Sequence, residues 1–463
     1  EIFPGTPFGV AVSYNGVQNE VALWLAPLDE LNDPDVKWQP FVARTDDITA
    51  VDAAGDTFFL LSHKNAPTYQ VLSVTAGQPL AAARVLVPAA KTRVLDAIHA
   101  ASDALYVLAR QGPYSRLLRV PHARGTIEEV DLPFQGLIGE AFADPREPGI
   151  TINLQSFVVP PTTLAYDPAK KKFVDRRLGV TPRYDPGRYE VSDLEARAKD
   201  GARVPSTLVR RKGVHGPQIV VIQAYGAYGI SQLANFSFRS VSFLEAGGSY
   251  AWCHVRGGGE LGEAWRLAGK DANKPNTWRD LIACAEDLIA RGITTRDKLF
   301  IFSASAGGIT VGRALTERPD LFAGVLALVP AGNPLRGEFQ PSGPLNIPEF
   351  GTITTEEGFR NLYAMDTIQH LRPGVQYPPV LITTGLNDPR VSPWEPAKLA
   401  AALQATGTAC PILLRIDEDA GHGVGSTKSQ EDALYADMWA FVFWRAGSVG
   451  GARSGISGIS AGY

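Results

Sequence analysis

Near residue 178 the hydrophobic period of the sequence changes, and that change limits the folds open to the chain. Before it, the apolar runs "FGVAVSY", "EVALWLAPL", "DTFFLLSH", "YQVLSVT", "ALYVLAR", "SRLLRVP", "ITINLQSF" and "TTLAYDP" recur between turn residues, and no helical period interrupts them. A spacing of about 10–15 residues between short strands predicts an all-β array. A longer repeat, seen in "DTFFLLSHKNAPTYQVLSV" and "DALYVLARQGPYSRLLRV", returns about every 45 residues, the length of a four-stranded propeller blade. Residues 1–178 then read as a β-propeller segment of about four blades.

After residue 178 strand-length apolar runs alternate with amphipathic helical patterns. "PQIVVIQAYG", "SYAWCHVRG", "KLFIFSA", "FAGVLALVPA", "PPVLITTG" and "CPILLRIDED" are the strands; "TWRDLIACAEDLIARG", "PWEPAKLAAALQATG" and "SQEDALYADMWAFVFWRAG" are the helices. This alternation predicts a mostly parallel sheet covered on both faces, an α/β domain over 179–447. Residues 448–463, "SVGGARSGISGISAGY", have the composition of a flexible tail. Ligands of such sheets bind beyond the carboxyl ends of the strands, so the chemistry is expected in this half.

The composition is that of an ordinary globular chain, 45% hydrophobic and 20% charged over 463 residues, which argues against disorder. Net charge is −4, and the one tight basic cluster, Lys170 to Lys172, reads as a solvated turn, so nucleic acid is not an expected partner. The apolar runs are too short to span a bilayer. Cys253, Cys284 and Cys410 lie in apolar segments without CxxC spacing and read as reduced core residues. No ligand cluster is visible, so neither metal nor organic cofactor is expected. The chain opens at Glu1 without a leader pattern, which leaves cytoplasm and periplasm both open.

In "FIFSASAGG" a strand runs into small-x-Ser-x-Gly centred on Ser305 and then into a helix, the setting of a nucleophile elbow. Small residues are needed around the serine because the tight turn brings neighbouring backbone into contact. Ser303 stands where glycine is usual, and the competing reading makes Ser303 or Ser305 a helix N-cap. Two further residues fall in loops after later strands: Asp388 in "LNDPRVSP" and His422 in "AGHGVG". The order Ser, Asp, His is that of α/β-hydrolases. Asp417 and Asp419 are rival acids, but they lie on the strand leading to the histidine.

At these residues the sequence resembles the prolyl oligopeptidases, serine peptidases in which a seven-bladed β-propeller caps an α/β-hydrolase domain. The resemblance rests on "AYGAYGIS", "VRGGGELGEAWRLAGK", "SASAGG", "NDPRVSP" and "AGHG", with weaker echoes in "LLSHKNAP" and "INLQSFVVPPTTLAYDP". It implies Ser305 as nucleophile, His422 as general base and Asp388 as its orienting acid. It implies an oxyanion hole made by the backbone N–H of Ala306 and the hydroxyl of Tyr225, and Arg390 as the binder of a substrate carbonyl. Arg256, Glu260 and Glu263 are expected to form an ion network behind the site. The substrates implied are short peptides, cleaved after proline, that a propeller ring admits while excluding folded proteins.

Two departures stand against that pattern. The family's pocket tryptophan aligns through "IPEFG" with Asn346, leaving Tyr228, Phe350 and Val391 as apolar walls and Trp394 as a substitute; the same fold with altered specificity, as an exopeptidase, isopeptide hydrolase or esterase, is therefore the first alternative, and a catalytically silent propeller binding protein, against which the complete Ser, Asp, His and Tyr set argues, is the second. The adjacent Glu128 and Glu129 could mimic an exopeptidase's paired glutamates, but they sit in an ordinary strand context. The other departure is length: about four blades rather than seven lead to the expectation of an N-terminal segment of the same protein preceding Glu1.

Overall fold

The computed structural model describes residues 1–122, 125–179, 181–423 and 426–448; the predicted tail beyond 448 lies outside the described residues. The chain divides into two compact units. One comprises Glu1–Gly187 with Tyr228–Ser237 and Gly257–Ala268; the other comprises Arg188–Ala227, Phe238–Arg256 and the chain from Gly269 onward.

The first unit is built from antiparallel sheets whose strands follow one another in the sequence. They are β1 (Phe8–Ser13), β2 (Ala22–Pro27) and β3 (Gln39–Val42); β4 (Ile48–Ala54), β5 (Thr57–Ser62), β6 (Gln70–Thr75) and β7 (Arg84–Val87); β8 (Val94–Ala100), β9 (Ala104–Gln111), β10 (Tyr114–Pro121) and β11 (Glu128–Val130); and β12 (Leu137–Phe142), β13 (Ile150–Gln155), β14 (Thr162–Asp167) and β15 (Lys172–Asp175). Alternation places one face of each strand on the neighbouring sheet. Leu23 and Leu25 pack with Phe58 and Leu60, Phe59 and Leu61 with Val107 and Leu118, and Tyr106 and Leu117 with Ile152 and Tyr166, so each sheet shares a core with the next. Glu128 and Glu129 pair with Arg119 and Arg116 of the adjacent strand, at 3.0 and 3.7 Å, as ordinary cross-strand ion pairs. Lys170 folds back onto Asp167 in the turn between β14 and β15.

In the second unit eight strands form one sheet in the order β16-β17-β19-β18-β20-β21-β22-β23. They are β16 (Tyr189–Arg197), β17 (Arg203–Arg211), β18 (Val220–Gln223), β19 (Ser249–Cys253), β20 (Leu299–Ala304), β21 (Gly324–Leu328), β22 (Val380–Gly385) and β23 (Ile412–Asp417). From β19 to β23 every neighbouring pair is parallel, while β16 and β17 are antiparallel. The central strands are buried on both faces, as continuous apolar runs such as "LFIF" require. The helices are α1 (Phe238–Glu245), α2 (Glu263–Leu267), α3 (Pro275–Ala290), α4 (Gly307–Glu317), α5 (Pro334–Gly337), α6 (Ile347–Phe350), α7 (Glu356–Met365), α8 (Trp394–Gln404) and α9 (Lys428–Arg445); α2 falls in a segment of the first unit.

One expectation is corrected here. Cys253, at the end of β19, and Cys284, on α3, are joined in a disulfide with Cα atoms 6.2 Å apart, rather than being reduced core residues. The 31-residue separation carries no local motif, and it is the packing of α3 on β19 that brings the two sulfurs together. Cys410 is a free, half-buried thiol.

Candidate active site

Ser305 occupies the turn from β20 into α4 with φ of +55°, a conformation few non-glycine residues adopt. Its N–H donates to the Leu328 carbonyl at 2.9 Å, and its own carbonyl accepts from Gly308 and Ala331. A Cβ at Gly307 would come within 1.9 Å of Ser303 Oγ, so the turn closes only with glycine there. Ser303 is buried and donates to the Ala224 carbonyl at 2.5 Å, which ties β20 to the end of β18. Neither serine caps α4: Ala306 holds the N-cap position and no side chain bonds to the helix end. The N–H of Ala306 therefore belongs to the set that α-helix geometry leaves without an intrahelical partner.

His422 bridges the other two residues. Its Nδ1–H donates to Asp388 Oδ2 at 2.6 Å and its Nε2 accepts from Ser305 Oγ at 2.9 Å. Asp388 follows β22, is 5% exposed, and accepts with Oδ1 from the N–H groups of Arg390 and Val391 at 2.8 and 2.9 Å. Three donors converge on this carboxylate, which fixes its plane and, through Nδ1, the tautomer of the imidazole. The rival acids lie elsewhere: Asp417 faces Arg415 at 3.7 Å and accepts from the N–H of Asp419.

The Tyr225 hydroxyl hydrogen-bonds with Ser305, and burial pushes its pKa up to about 12, with the Ser305 contact and the Arg390 charge pulling the other way. The phenol is thus a neutral donor throughout the working pH range. Its loop is held from below. Thr310 Oγ1 donates to the Tyr225 carbonyl at 2.7 Å, Lys274 Nζ donates to the Gly226 carbonyl at 2.5 Å, and a Cβ at Gly226 would strike Thr277 at 2.1 Å. Lys274 has no solvent exposure. Its ammonium is balanced by Glu349 at 3.6 Å and lies 5.1 Å from the Phe350 ring centroid, while burial pulls its pKa down.

Around this centre Arg390 is exposed, and its guanidinium makes no ion pair among the described residues. Its carbonyl accepts from Ser342 Oγ at 2.8 Å, and Asn346 Nδ2 donates to the Ser342 carbonyl at 3.1 Å, so Asn346 and Arg390 are joined through one serine. Val391 is 7% exposed. Trp394 begins α8, with Lys398 Nζ 6.0 Å from its ring. Tyr228, with φ of +60°, falls in a segment of the first unit. Of the expected ion network, Arg256 forks onto Asp280 and reaches Asp200 at 2.5 Å in the second unit, while Glu260 accepts from the Gln232 N–H and Glu263 pairs with Arg266 in the first.

In the first unit Glu20, His63 and Glu263 bring donor atoms within 4.8 Å of one another, a grouping invisible in a sequence that spreads them over more than two hundred residues. His63 Nε2 meets Glu20 at 2.9 Å, and Arg266 takes both oxygens of Glu263, so ion pairing accounts for the cluster. No helix among the described residues is long and apolar enough to cross a membrane.

Comparison with known proteins decides the family. The model of the prolyl oligopeptidase N-terminal β-propeller domain matches residues 10–176, and that of the prolyl oligopeptidase family matches residues 234–448. The chain belongs to the prolyl oligopeptidase family. It is 28% identical over 403 residues to a prolyl endopeptidase of Elizabethkingia miricola, covering 86% of this chain and 57% of that protein. A dipeptidyl aminopeptidase BI of Pseudoxanthomonas mexicana is 33% identical over 298 residues, 63% of this chain and 41% of its own. Among solved structures a prolyl endopeptidase aligns with TM-score 0.89 at 27% identity over 96% of this chain and 65% of its own. Oligopeptidase B from Leishmania major aligns with TM-score 0.83 at 26% identity, over 95% and 66%. The chain thus spans little more than half the length of several curated relatives it matches. Its fold is an α/β-hydrolase domain preceded by part of a β-propeller, as the family models and the blade-like sheets both state.

Proposed function

We propose that this chain is a serine oligopeptidase that hydrolyses peptide bonds of short peptides through an acyl-enzyme. The observation that carries the reading is the hydrogen-bonded line Asp388–His422–Ser305, at 2.6 and 2.9 Å. Ser305 Oγ attacks the scissile carbonyl as His422 Nε2 takes its proton; the imidazolium then gives that proton to the leaving amine, and water repeats the sequence on the ester. The tetrahedral oxyanion is received by the Ala306 N–H and the Tyr225 hydroxyl, and Arg390 holds a substrate carbonyl. The name prolyl endopeptidase among its relatives supports cleavage after proline.

A second reading keeps the chemistry and changes the specificity. It is favoured by Asn346, whose amide is bonded to Ser342 beside Arg390 where the family places an aromatic ring, and by the likeness to a dipeptidyl aminopeptidase.

A fluorophosphonate probe followed by peptide mapping, together with cleavage profiling on a peptide library, tests both. A single adduct on Ser305 that is lost in Ser305→Ala, with cleavage after proline, is the expected result. Absence of the adduct ends the hydrolase reading; an adduct with no proline preference selects the second.

A further inference from the structure

Behind the loop Asp388–Ser392 runs a line of buried polar side chains that the chemistry above does not use. Glu395, 1% exposed in the first turn of α8, accepts with Oε1 from the Asn333 N–H at 2.7 Å and with Oε2 from Gln340 Nε2. Gln340, 8% exposed, turns its own carbonyl oxygen to the Ser392 N–H at 2.6 Å. The Asn333 side chain donates to Asp366, which has no exposure, and accepts from Lys398 Nζ at 2.7 Å.

Donors alone meet the Glu395 carboxylate in these contacts, which is the pattern an ionised acid requires. A glutamine amide has one donating and one accepting end. With Nε2 committed to Glu395, Oε1 is left for Ser392. A protonated Glu395 needs an acceptor instead, and Gln340 can supply one only by turning end for end. Its NH₂ would then face the Ser392 N–H, donor against donor.

From this geometry we infer that Glu395 and Gln340 are positioning residues for the Asp388–Ser392 loop: the ionised carboxylate orients the Gln340 amide, the amide anchors Ser392, and substrate binding through Arg390 follows that anchor. The inference rests on the peptidase reading for its effect on substrate. Burial pushes the Glu395 pKa up to about 7, and the like charge of Asp366 pushes the same way. Lys398, on the same helix, spends its ammonium on Asn333. The anchor is therefore made or lost within the working pH range.

The test is kcat and KM on a fluorogenic peptide from pH 5 to 9, for the wild type, Glu395→Gln and Gln340→Met, with hydrogen exchange of residues 388–394 at pH 8. Wild-type KM is expected to climb as pH falls through 7. In both variants KM at pH 8 is expected to be raised about tenfold, the weight of one lost hydrogen bond, and to be flat across that range, with kcat less affected. Exchange of the loop is expected to quicken in both. A folded Glu395→Gln that keeps the wild-type pH dependence of KM overturns the inference, as does unchanged exchange in Gln340→Met, which carries the test alone if the first variant does not fold. A wild type that takes no fluorophosphonate sinks the peptidase reading, and the exchange comparison still decides the anchor.

Discussion

Lys274 Nζ, without solvent exposure, donates to the carbonyl of Gly226 at 2.5 Å, one residue beyond the tyrosine whose hydroxyl meets Ser305. A buried ammonium thus sets the height of the proposed oxyanion loop. Replacing it with methionine keeps the volume but frees the Gly226 carbonyl and removes the cation 3.6 Å from Glu349, itself 2% exposed. Breaking such a buried pair costs about 3–5 kcal/mol, and a displacement of the order of 1 Å at a reacting group costs about 100-fold in rate. Lys274→Met is expected to lose both stability and kcat. Lys274→Met/Glu349→Gln is expected to recover the melting temperature without the kcat, and recovery of both would show that Lys274 serves folding alone.

Tyr225→Phe removes one donor and leaves the ring packed. Loss of an oxyanion donor costs on the order of 10²–10³ in kcat, and KM is expected to stay near the wild-type value because the ground-state carbonyl does not need that donor. With the phenol held near 12 by burial, the basic limb of the pH profile up to 10 is expected to be unchanged in shape. A drop in kcat/KM carried by KM would place Tyr225 in substrate binding instead.

The parts of the molecule legible in the sequence are those in which one physical rule acts alone. Buried parallel strands announce themselves as apolar runs, and Ser305, Asp388 and His422 stand in loops at the carboxyl ends of such strands, where topology converges. β16 is a flank strand of alternating exposure, "YEVSDLEAR", whose charges mask its strand signal. Short outer strands such as β7 and β15, with largely exposed patterns, carry too little hydrophobic signal to stand out from turns. Lys274, Gln340 and Glu395 were illegible for a different reason: a polar residue in a loop or at a helix start reads as solvated, and only tertiary packing reveals that nothing but protein surrounds it. The disulfide shares that origin, since Cys253 and Cys284 meet only once α3 lies on β19.

The disulfide closes a loop of 31 residues, which by the entropy of closure contributes about 3–4 kcal/mol. Thiol titration of the denatured, unreduced protein is expected to find one free thiol, Cys410, from a total of three cysteines. Reduction, or a Cys253→Ala/Cys284→Ala variant, is expected to lower the melting temperature by several degrees. Three titratable thiols would remove the bridge from the native protein.

Glu395 is a cost to the fold as well as an anchor. Burial raises its pKa from the ordinary 4.5 of an unfolded chain to about 7 in the fold. Between those values the folded chain holds the extra proton, so the group's stabilising effect is full below pH 4.5 and lost as pH rises through 7. A shift of that size corresponds to about 3 kcal/mol. Glutamine at this position does not titrate. The stability of Glu395→Gln minus that of the wild type is therefore expected to increase by roughly that amount between pH 5 and 8, measured by urea unfolding at each pH. Parallel stabilities across the range would mean that Glu395 titrates as an ordinary carboxylate. A widening gap, joined to the raised KM of the same variant, would mean that the chain carries a destabilising buried charge because the loop bearing Arg390 requires it.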